Sequence, residues 1–354
     1  MSESHAQDPQ GATPDATLLR QLIMGFRTTQ LVHVSARLGL ADRLRDGAKT
    51  PQLLAQLVGA DADALRRVLR ALASLGLCAE RAGGAFALTP LGQPLRSDTP
   101  GSVHSLAILY GEAWLWEVYG AMLYSVQTGR PAFGQVHRQP LFDYLDHHPV
   151  AAAQFHQAMS GYSAQEETAI LAAYDFDNIG TVVDVGGGYG GLLMAVLKAS
   201  RLLRGILFDV ASVLVDGRAR LVEAGLEMRH ACVAGDFFTA VPSDADLYLI
   251  KRVLHDWDDA AATCILGNCR RAMPEHGRLL VIERVIPAGD LPAEAKLFDI
   301  NMLVVTGGRE RTEAEYRALF QAAGLHLTRI VPTASPLSLI EGVPAAGHTS
   351  SDLG

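Results

Sequence analysis

Thr181-Val182-Val183-Asp184-Val185-Gly186-Gly187-Gly188-Tyr189-Gly190-Gly191 is the stretch that decides the fold of this chain. An apolar run of β type carries an acid near its end, and a cluster of glycines follows. Leu192 to Lys198 then has the composition of a helix. The pattern predicts strand, tight turn, helix. Glycine serves where backbone must turn sharply or approach a ligand with no Cβ in the way. The opening of the helix behind it offers free N–H groups. The stretch is suited to holding a nucleotide-like ligand against backbone.

Gly186, Gly188 and Gly191 satisfy the G-x-G-x-x-G spacing of dinucleotide sites. On the glycines alone, a nicotinamide cofactor and another nucleotide cofactor both stay open. Asp184 leans away from the first. An acid there can accept from the ammonium of a bound amino acid, which S-adenosylmethionine carries and NAD lacks. The next apolar run, Gly205 to Asp209, ends in an acid at about twenty residues' remove, which suits a ribose diol in either cofactor class. A turn residue closing a strand is the plainer reading of Asp209.

Glu227 to Val233 predicts a third strand, followed by Gly235-Asp236-Phe237-Phe238. Ala245 to Ile250 predicts a fourth, followed by Lys251-Arg252-Val253-Leu254-His255-Asp256-Trp257. Gly277 to Ile282 predicts a fifth and leads to Glu283. Asp299-Ile300-Asn301-Met302 precedes Gly307-Gly308-Arg309-Glu310-Arg311-Thr312. With Asp184 to Gly191, these motifs resemble the class I S-adenosylmethionine-dependent O-methyltransferases of the caffeate and acetylserotonin type. Bacterial members methylate phenazines, anthracyclines and other polyketide aromatics. The resemblance covers nearly the whole chain, with the motifs in the family's order.

Alternating strand and helix from Thr181 predicts a doubly wound α/β sheet. His326 to Pro332 and Leu337 to Glu341 predict two short final strands, one of them the terminal antiparallel strand of the methyltransferase variation, giving a mixed seven-stranded sheet. Ligand in such sheets sits outside the carboxyl ends of the strands. Asp184, Asp209, Asp236, Lys251, His255 and Glu283 all fall at or just past those ends.

The first half of the chain reads as helical. Leu18 to Val34 predicts an apolar helix. Thr50-Pro51 opens another, with Thr as N-cap and Pro at the first position. Asp61 caps a third that runs to Leu75 and closes at Gly76, and a hairpin over residues 78–88 follows. Helix, helix and β-wing make a winged-helix pattern, similar to the family's dimerisation domain. A winged helix can also bind DNA, so a regulator with a ligand-sensing half is the alternative from another class. Arg66, Arg67 and Arg70 would then face DNA, although three arginines also suit a solvated face. The expected organisation is a disordered tail over 1–15, a dimerisation domain over 16–104, a helical linker and acceptor-pocket roof over 105–173, a catalytic domain over 174–345 and a tail over 346–354.

Composition narrows the partners. The chain has 354 residues, 49% of them apolar, and a net charge of −8 with a pI near 5.8. Nucleic acid and anionic membrane want clustered positive charge. No apolar run reaches the roughly 18 residues of a membrane span. The polar N-terminus lacks the features of a signal peptide, so the expected compartment is the cytoplasm. Cys78, Cys232, Cys264 and Cys269 form no C-x-x-C and read as reduced and buried. No metal constellation stands out, and His147-His148 before Pro149 reads as a solvated helix end.

The resemblance implies the roles of the site residues. Asp184, Gly186 and Gly188 would approach the methionine and ribose of S-adenosylmethionine, with Asp209 on the ribose hydroxyls. Asp236 and Phe237 would bracket adenine. Lys251 would contact the cofactor near its carboxylate or its adenine side, and Ser163 would reach the methionine carboxylate. His255 would be the general base, flanked by Glu283 and Glu310, with Asp256 helping to hold the acceptor oxygen or the loop. Phe155, Met159 and Tyr162, on one helical face, would roof the acceptor, with Trp257, Met302 and Thr306 lining it. Residues 302–308 are one residue shorter than in the plant enzymes. Methyl transfer from a sulfonium needs alignment and an ionised nucleophile. A phenol near pKa 10 is about one part in a thousand ionised at pH 7, and an ordinary imidazole near 6.5 can take its proton. The implied protein is a homodimer acting on a hydroxyl, N-hydroxyl or N-oxide of a planar aromatic. A methyltransferase-fold hydroxylase or decarboxylase is the other alternative, and retention of His255 argues against it.

Overall fold

The computed structural model describes residues 14–346. The expected tails lie almost wholly outside them, as do the side chains of Tyr162 and Ser163. The chain forms two compact units, residues 14–116 with 150–161, and 117–149 with 162–346. The stretch 105–173 is shared between them.

The first unit begins with α1 (Pro14–Ile23) and α2 (Gly25–Arg37). One helix was expected over Leu18 to Val34. The apolar spacing runs on across the junction, but the chain breaks at Met24 ahead of Gly25, the poorest helix former after proline. α3 (Leu40–Arg43), α4 (Pro51–Val58) and α5 (Ala62–Ser74) follow. Thr50 caps α4 by accepting from the Leu53 N–H, and Asp61 caps α5 by accepting from Ala64 at 2.8 Å. β1 (Cys78–Glu80) and β2 (Phe86–Leu88) make the wing. Leu54, Leu65, Leu69 and Phe86 fill this unit's core. α6 (His104–Leu109) packs on α2, where His33 Nδ1 contacts the Ile108 carbonyl oxygen at 3.0 Å. α7 spans Ala113–Gly120.

Short helices α8 (Met122–Thr128), α9 (Ala132–His137) and α10 (Leu141–His147) lead to the long α11 (Pro149–Ala173). His147 and His148 are exposed at the end of α10, as expected. Then come β3 (Thr181–Val185), α12 (Gly191–Ala199), β4 (Arg204–Asp209), α13 (Ala211–Glu223) and β5 (His230–Ala234). The chain continues with β6 (Leu247–Lys251), α14 (Asp259–Ala272), β7 (Arg278–Glu283) and β8 (Val285–Ile286). α15 (Glu294–Val305), β9 (Arg311–Thr312), α16 (Glu313–Ala322), β10 (Leu325–Pro332) and β11 (Ser338–Pro344) complete the chain.

Seven strands form one sheet in the order β10-β11-β7-β6-β3-β4-β5. β11 runs antiparallel to both β10 and β7, and the remaining pairs are parallel. Successive residues of the middle strands serve opposite faces. Val183, Tyr248 and Val281 join the layer with α14 and α16, while Val182, Leu249 and Leu280 join the layer with α12 and α13. Both faces are covered, so these strands are apolar throughout. After β5 the chain returns to the far side of β3. The strand order reverses there, and in such sheets ligand sits at the carboxyl ends of the strands on either side of the reversal, here β3 and β6.

Two of the four free cysteines depart from expectation: Cys78 and Cys269 are buried, but Cys232 is half-buried and Cys264 exposed. No described helix is long and apolar enough to cross a membrane.

Candidate active site

The loop after β3 is built on its glycines. Gly186 and Gly188 take φ of +67° and +58°, which side chains with a Cβ rarely adopt. Gly187 leaves no room at all, since a Cβ there would lie 2.6 Å from Asp184 Cγ. Asp184 is buried under this loop, and its Oδ2 has no hydrogen-bond partner. Burial pushes its carboxyl up to about 7 against the pull of Lys251, with Asp209 and Glu167 adding to the rise. Asp209 clamps the loop from β4: its Oδ2 accepts from the Gly188 N–H at 2.8 Å and its Oδ1 from Val210 at 2.7 Å. The Phe237 ring and Val253 crowd Gly186. Asp236 is exposed, with Oδ1 accepting from the Phe238 N–H at 2.9 Å.

Lys251 ends β6, where its Nζ meets Glu166 Oε2 at 3.0 Å. Glu166 also pairs with Arg252, a residue held at φ +55°. No motif pointed to Glu166, which lies 86 residues from Arg252 on α11.

His255 follows in a short helical turn after β6 and is 5% exposed. Its Nδ1 lies 2.9 Å from Glu310 Oε1, and its Nε2 lies 4.0 Å from Asp256 Oδ2. Glu283 flanks the base, as the resemblance implied, but from the backbone side. Its Oε1 accepts from the backbone N–H groups of Val253 and His255 at 3.1 and 3.2 Å, and its Oε2 accepts from the Tyr316 hydroxyl at 2.9 Å. It holds the backbone under the imidazole, while Glu310 holds the ring. The other side of the turn is pinned through its carbonyls. Arg311, fully buried, donates to the Leu254 and Trp257 oxygens at 3.1 and 2.9 Å, and the Arg309 N–H donates to the His255 oxygen at 2.9 Å. Sequence had assigned no role to Arg311 or Tyr316. The Glu310 N–H donates to Asp299 Oδ1 at 2.8 Å, tying the loop to α15.

His255, Glu283 and Glu310 present atoms within 4.8 Å of one another, a spacing that can hold a metal ion. Here Nδ1 is bonded to Glu310, and both Glu283 oxygens already accept from protein donors. The cation this cluster best suits is the imidazolium itself. Burial pushes the His255 imidazole down, but the charges of Asp256, Glu283 and Glu310 and the hydrogen bond to Glu310 carry it up to about 9. This departs from the ordinary value near 6.5 assumed from sequence. A base must be unprotonated, so kcat/KM is expected to rise with pH through a midpoint near 9 and level off above it. Glu310→Gln removes one of the charges that favour the imidazolium, so the limb should move to lower pH by roughly 1–3 units. A pH–rate profile checks this, and an unmoved limb would show that the titrating group is not His255.

The remaining expected residues are distributed as follows. Met302 is buried on α15. The Thr306 hydroxyl donates to the Met302 oxygen and accepts from the Gly308 N–H, both at 3.3 Å, so it shapes the loop. Trp257 packs edge-on against Phe238 and Phe237, at 4.8 and 6.2 Å between ring centroids, which puts it beside the cofactor-side residues. Phe155 and Met159 are half-buried, one turn apart on the part of α11 that belongs to the first unit.

A parallel sheet with a reversed final hairpin, a glycine loop at its switch point and a carboxylate-held histidine beside that loop define a nucleotide-cofactor transferase of the methyltransferase kind. The chain belongs to the O-methyltransferase family: residues 119–326 match its O-methyltransferase domain and residues 20–98 its dimerisation domain. It is 45% identical to phenazine O-methyltransferase PhzM of Lysobacter antibioticus over 94% of this chain and 98% of that protein. It is 39% identical to O-demethylpuromycin-O-methyltransferase of Streptomyces alboniger over 91% of this chain and 88% of that one. The solved structure of CalO1, a methyltransferase of calicheamicin biosynthesis with S-adenosylhomocysteine bound, is 40% identical, with a TM-score of 0.82 over 94% of this chain and 98% of that one. The protein is an S-adenosylmethionine-dependent methyltransferase. The region resembling a winged helix is the family's dimerisation domain, and neither the DNA-binding alternative nor the hydroxylase or decarboxylase alternative gains support.

Proposed function

We propose that this enzyme methylates a hydroxyl, N-hydroxyl or N-oxide of a planar aromatic secondary metabolite of phenazine or polyketide type, in the cytoplasm and as a homodimer. His255 takes the acceptor proton through Nε2. Glu310 holds the ring through Nδ1, Glu283 holds its backbone, and Asp256 flanks the acceptor oxygen. Gly186, Gly188, Asp209, Asp236, Phe237 and Lys251 hold S-adenosylmethionine, with Asp184 supporting the loop from beneath. Met302 and Thr306 border the acceptor. The observation that supports this reading is the Nδ1–Glu310 bond at 2.9 Å, which leaves Nε2 as the basic nitrogen beside the cofactor crevice. The similarity to a phenazine methyltransferase supports the substrate class. Incubating the enzyme with labelled S-adenosylmethionine and a panel of aromatic hydroxyl and N-oxide compounds, read by mass spectrometry, tests it. Label transfer to none of them would overturn the substrate class.

S-adenosylmethionine should bind and NAD should not. Asp209→Ala removes both the loop clamp and the ribose partner, and should weaken cofactor binding by roughly 1–3 kcal/mol. Calorimetry showing tight NAD binding, or unchanged affinity in the variant, would contradict the assignment.

Leu18, Leu22 and Phe26 are 57%, 69% and 53% exposed on α1 and α2 of the first unit. Exposed apolar surface of this kind marks an interface, and these residues lie at or beside the matched dimerisation segment. Light scattering should give twice the chain mass of 37.9 kDa. A monomer at micromolar concentration would contradict the dimer.

A further inference from the structure

We infer that Asn268 is a positioning residue for S-adenosylmethionine: from α14 it sets the place of the loop that would hold adenine, and through that loop it sets how sharply the enzyme discriminates the base. The inference rests on the reading of Asp236 and Phe237 as the adenine side of the cofactor site, and it adds the residue that holds them there.

Asn268 is out of keeping with its helix. The other residues that α14 buries are Ala262, Ile265, Leu266 and Cys269, and Asn268 is 2% exposed among them. Asparagine is a poor helix former, and a buried amide costs stability unless it is hydrogen-bonded. Here both ends are bonded. The Nδ2 donates to the Phe237 carbonyl oxygen at 2.7 Å, across 31 residues of sequence, and the Oδ1 accepts from the Arg271 guanidinium. A carbonyl can only accept and a guanidinium can only donate, so the two partners leave the amide one orientation.

The loop after β5 supplies its own shape but not its own place. Asp236 closes the turn: its Oδ1 accepts from the Phe238 N–H at 2.9 Å, and its carbonyl oxygen accepts from Thr239 and Ala240 at 2.9 and 3.1 Å. Those bonds are local and move with the loop. Its ties to neighbouring elements are of another kind. At its start the Gly235 N–H donates to the Asp209 oxygen at 3.1 Å, at a glycine where a Cβ would lie 2.5 Å from the Phe208 ring. At Phe237 the tie is Asn268, and the Cys264 thiol adds a weak contact to the Phe238 oxygen at 3.6 Å. Phe237 is also the residue whose ring comes beside Gly186 and packs on Phe238 and Trp257. The amide of α14 therefore fixes how far Asp236 and Phe237 stand from the glycine loop. A site built to hydrogen-bond a ligand group rejects the analogue that lacks it, and hydrogen bonds weaken steeply once distance and angle are lost. Such rejection needs the loop held in place.

The test compares S-adenosylhomocysteine with S-inosylhomocysteine, in which an oxygen replaces the adenine amino group. Calorimetry on the full chain gives both dissociation constants for the wild type, Asn268→Leu, Asn268→Asp and Asp236→Ala. Wild-type enzyme should favour the adenosyl compound by about tenfold or more. Asn268→Leu should weaken the adenosyl compound by about tenfold, the worth of one hydrogen bond, and the inosyl compound much less, so that the preference narrows. Asn268→Asp keeps the size and the contact to Arg271 but turns an acceptor toward the Phe237 oxygen. It should do the same, and it decides the matter if the apolar variant fails to fold. Unchanged affinity for S-adenosylhomocysteine in Asn268→Asp, or equal losses for the two compounds as from a general loosening of α14, would overturn the proposal. A wild-type enzyme without preference, or Asp236→Ala with the preference intact, would instead overturn the reading of the adenine side beneath it.

Discussion

His255→Ala is expected to lower kcat by 10²-fold or more while leaving the affinity for S-adenosylmethionine nearly intact. Removing a positioned general base costs typically 10²–10⁴-fold. The imidazole is bonded to Glu310 and faces Asp256, and the glycine loop is held from Asp209 instead, so cofactor affinity has no reason to follow it. The loss should shrink with a nitrophenol acceptor, which is already ionised at neutral pH. A residue that only shaped the site would affect both acceptors alike. The substitution also strips the cluster of its cation and leaves Glu310 buried without its partner, and breaking a buried pair destabilises by about 3–5 kcal/mol. His255→Gln is therefore made in parallel, since it keeps a polar side chain in the gap. Thermal unfolding separates a folded, inactive enzyme from an unfolded one. Equal losses on phenol and nitrophenol in a folded variant would mean that proximity alone drives the transfer.

Gly308→Ala should be nearly as damaging, although residue 308 contributes no side chain. A Cβ there would lie 2.0 Å from the His255 carbonyl oxygen and 2.4 Å from the Asp256 carbonyl carbon. These are backbone atoms, held in place by the Arg309 N–H and by Arg311, so no flexible side chain can swing away. The turn that carries His255 must shift instead. A displacement of about 1 Å at a reacting group can cost 10²-fold in rate, and that is the expected fall in kcat. The loop after β3 is untouched, so cofactor affinity should hold. Gly134→Ala is the control. It lies in α9 with open space where the Cβ would go. It should be stabilising by up to about 1 kcal/mol, as alanine replaces glycine in a helix. Full activity in Gly308→Ala would show that the turn tolerates movement and that the base is not held as tightly as its hydrogen bonds indicate.

Much of the cofactor side was legible because its signals are local. The apolar run, the acid and the glycines of 181–191 lie within a few residues of one another, and each dictates its own backbone. Thr50 and Asp61 cap their helices through atoms three residues away, and the structure shows both bonds. Where a signal depends on a neighbouring strand, the sequence reading drifts. The third strand was expected over 227–233 and occupies His230–Ala234, because pairing with β4, from Gly205 opposite His230 to Asp209 opposite Ala234, sets its limits. The break at Met24 was masked for a related reason: apolar periodicity continues through it, and only Gly25 hints at it.

By itself, then, the sequence determined the sheet and the glycine loop, since these follow from residue type, order and period, and its resemblance to the family implied His255 as the base and the acids beside it. Tertiary structure decided what those groups do to one another. Glu310 reaches His255 across 55 residues and takes the ring, while Glu283, across 28 residues, takes the backbone. Together with Asp256 they carry an imidazole that sequence would leave near 6.5 up to about 9. Arg311, Tyr316 and Glu166 enter the site only through packing. The physical reason is that electrostatic and hydrogen-bond energies depend on separations of a few ångströms between groups remote in the chain. No local pattern of residues encodes those distances, and the closing of the fold sets them.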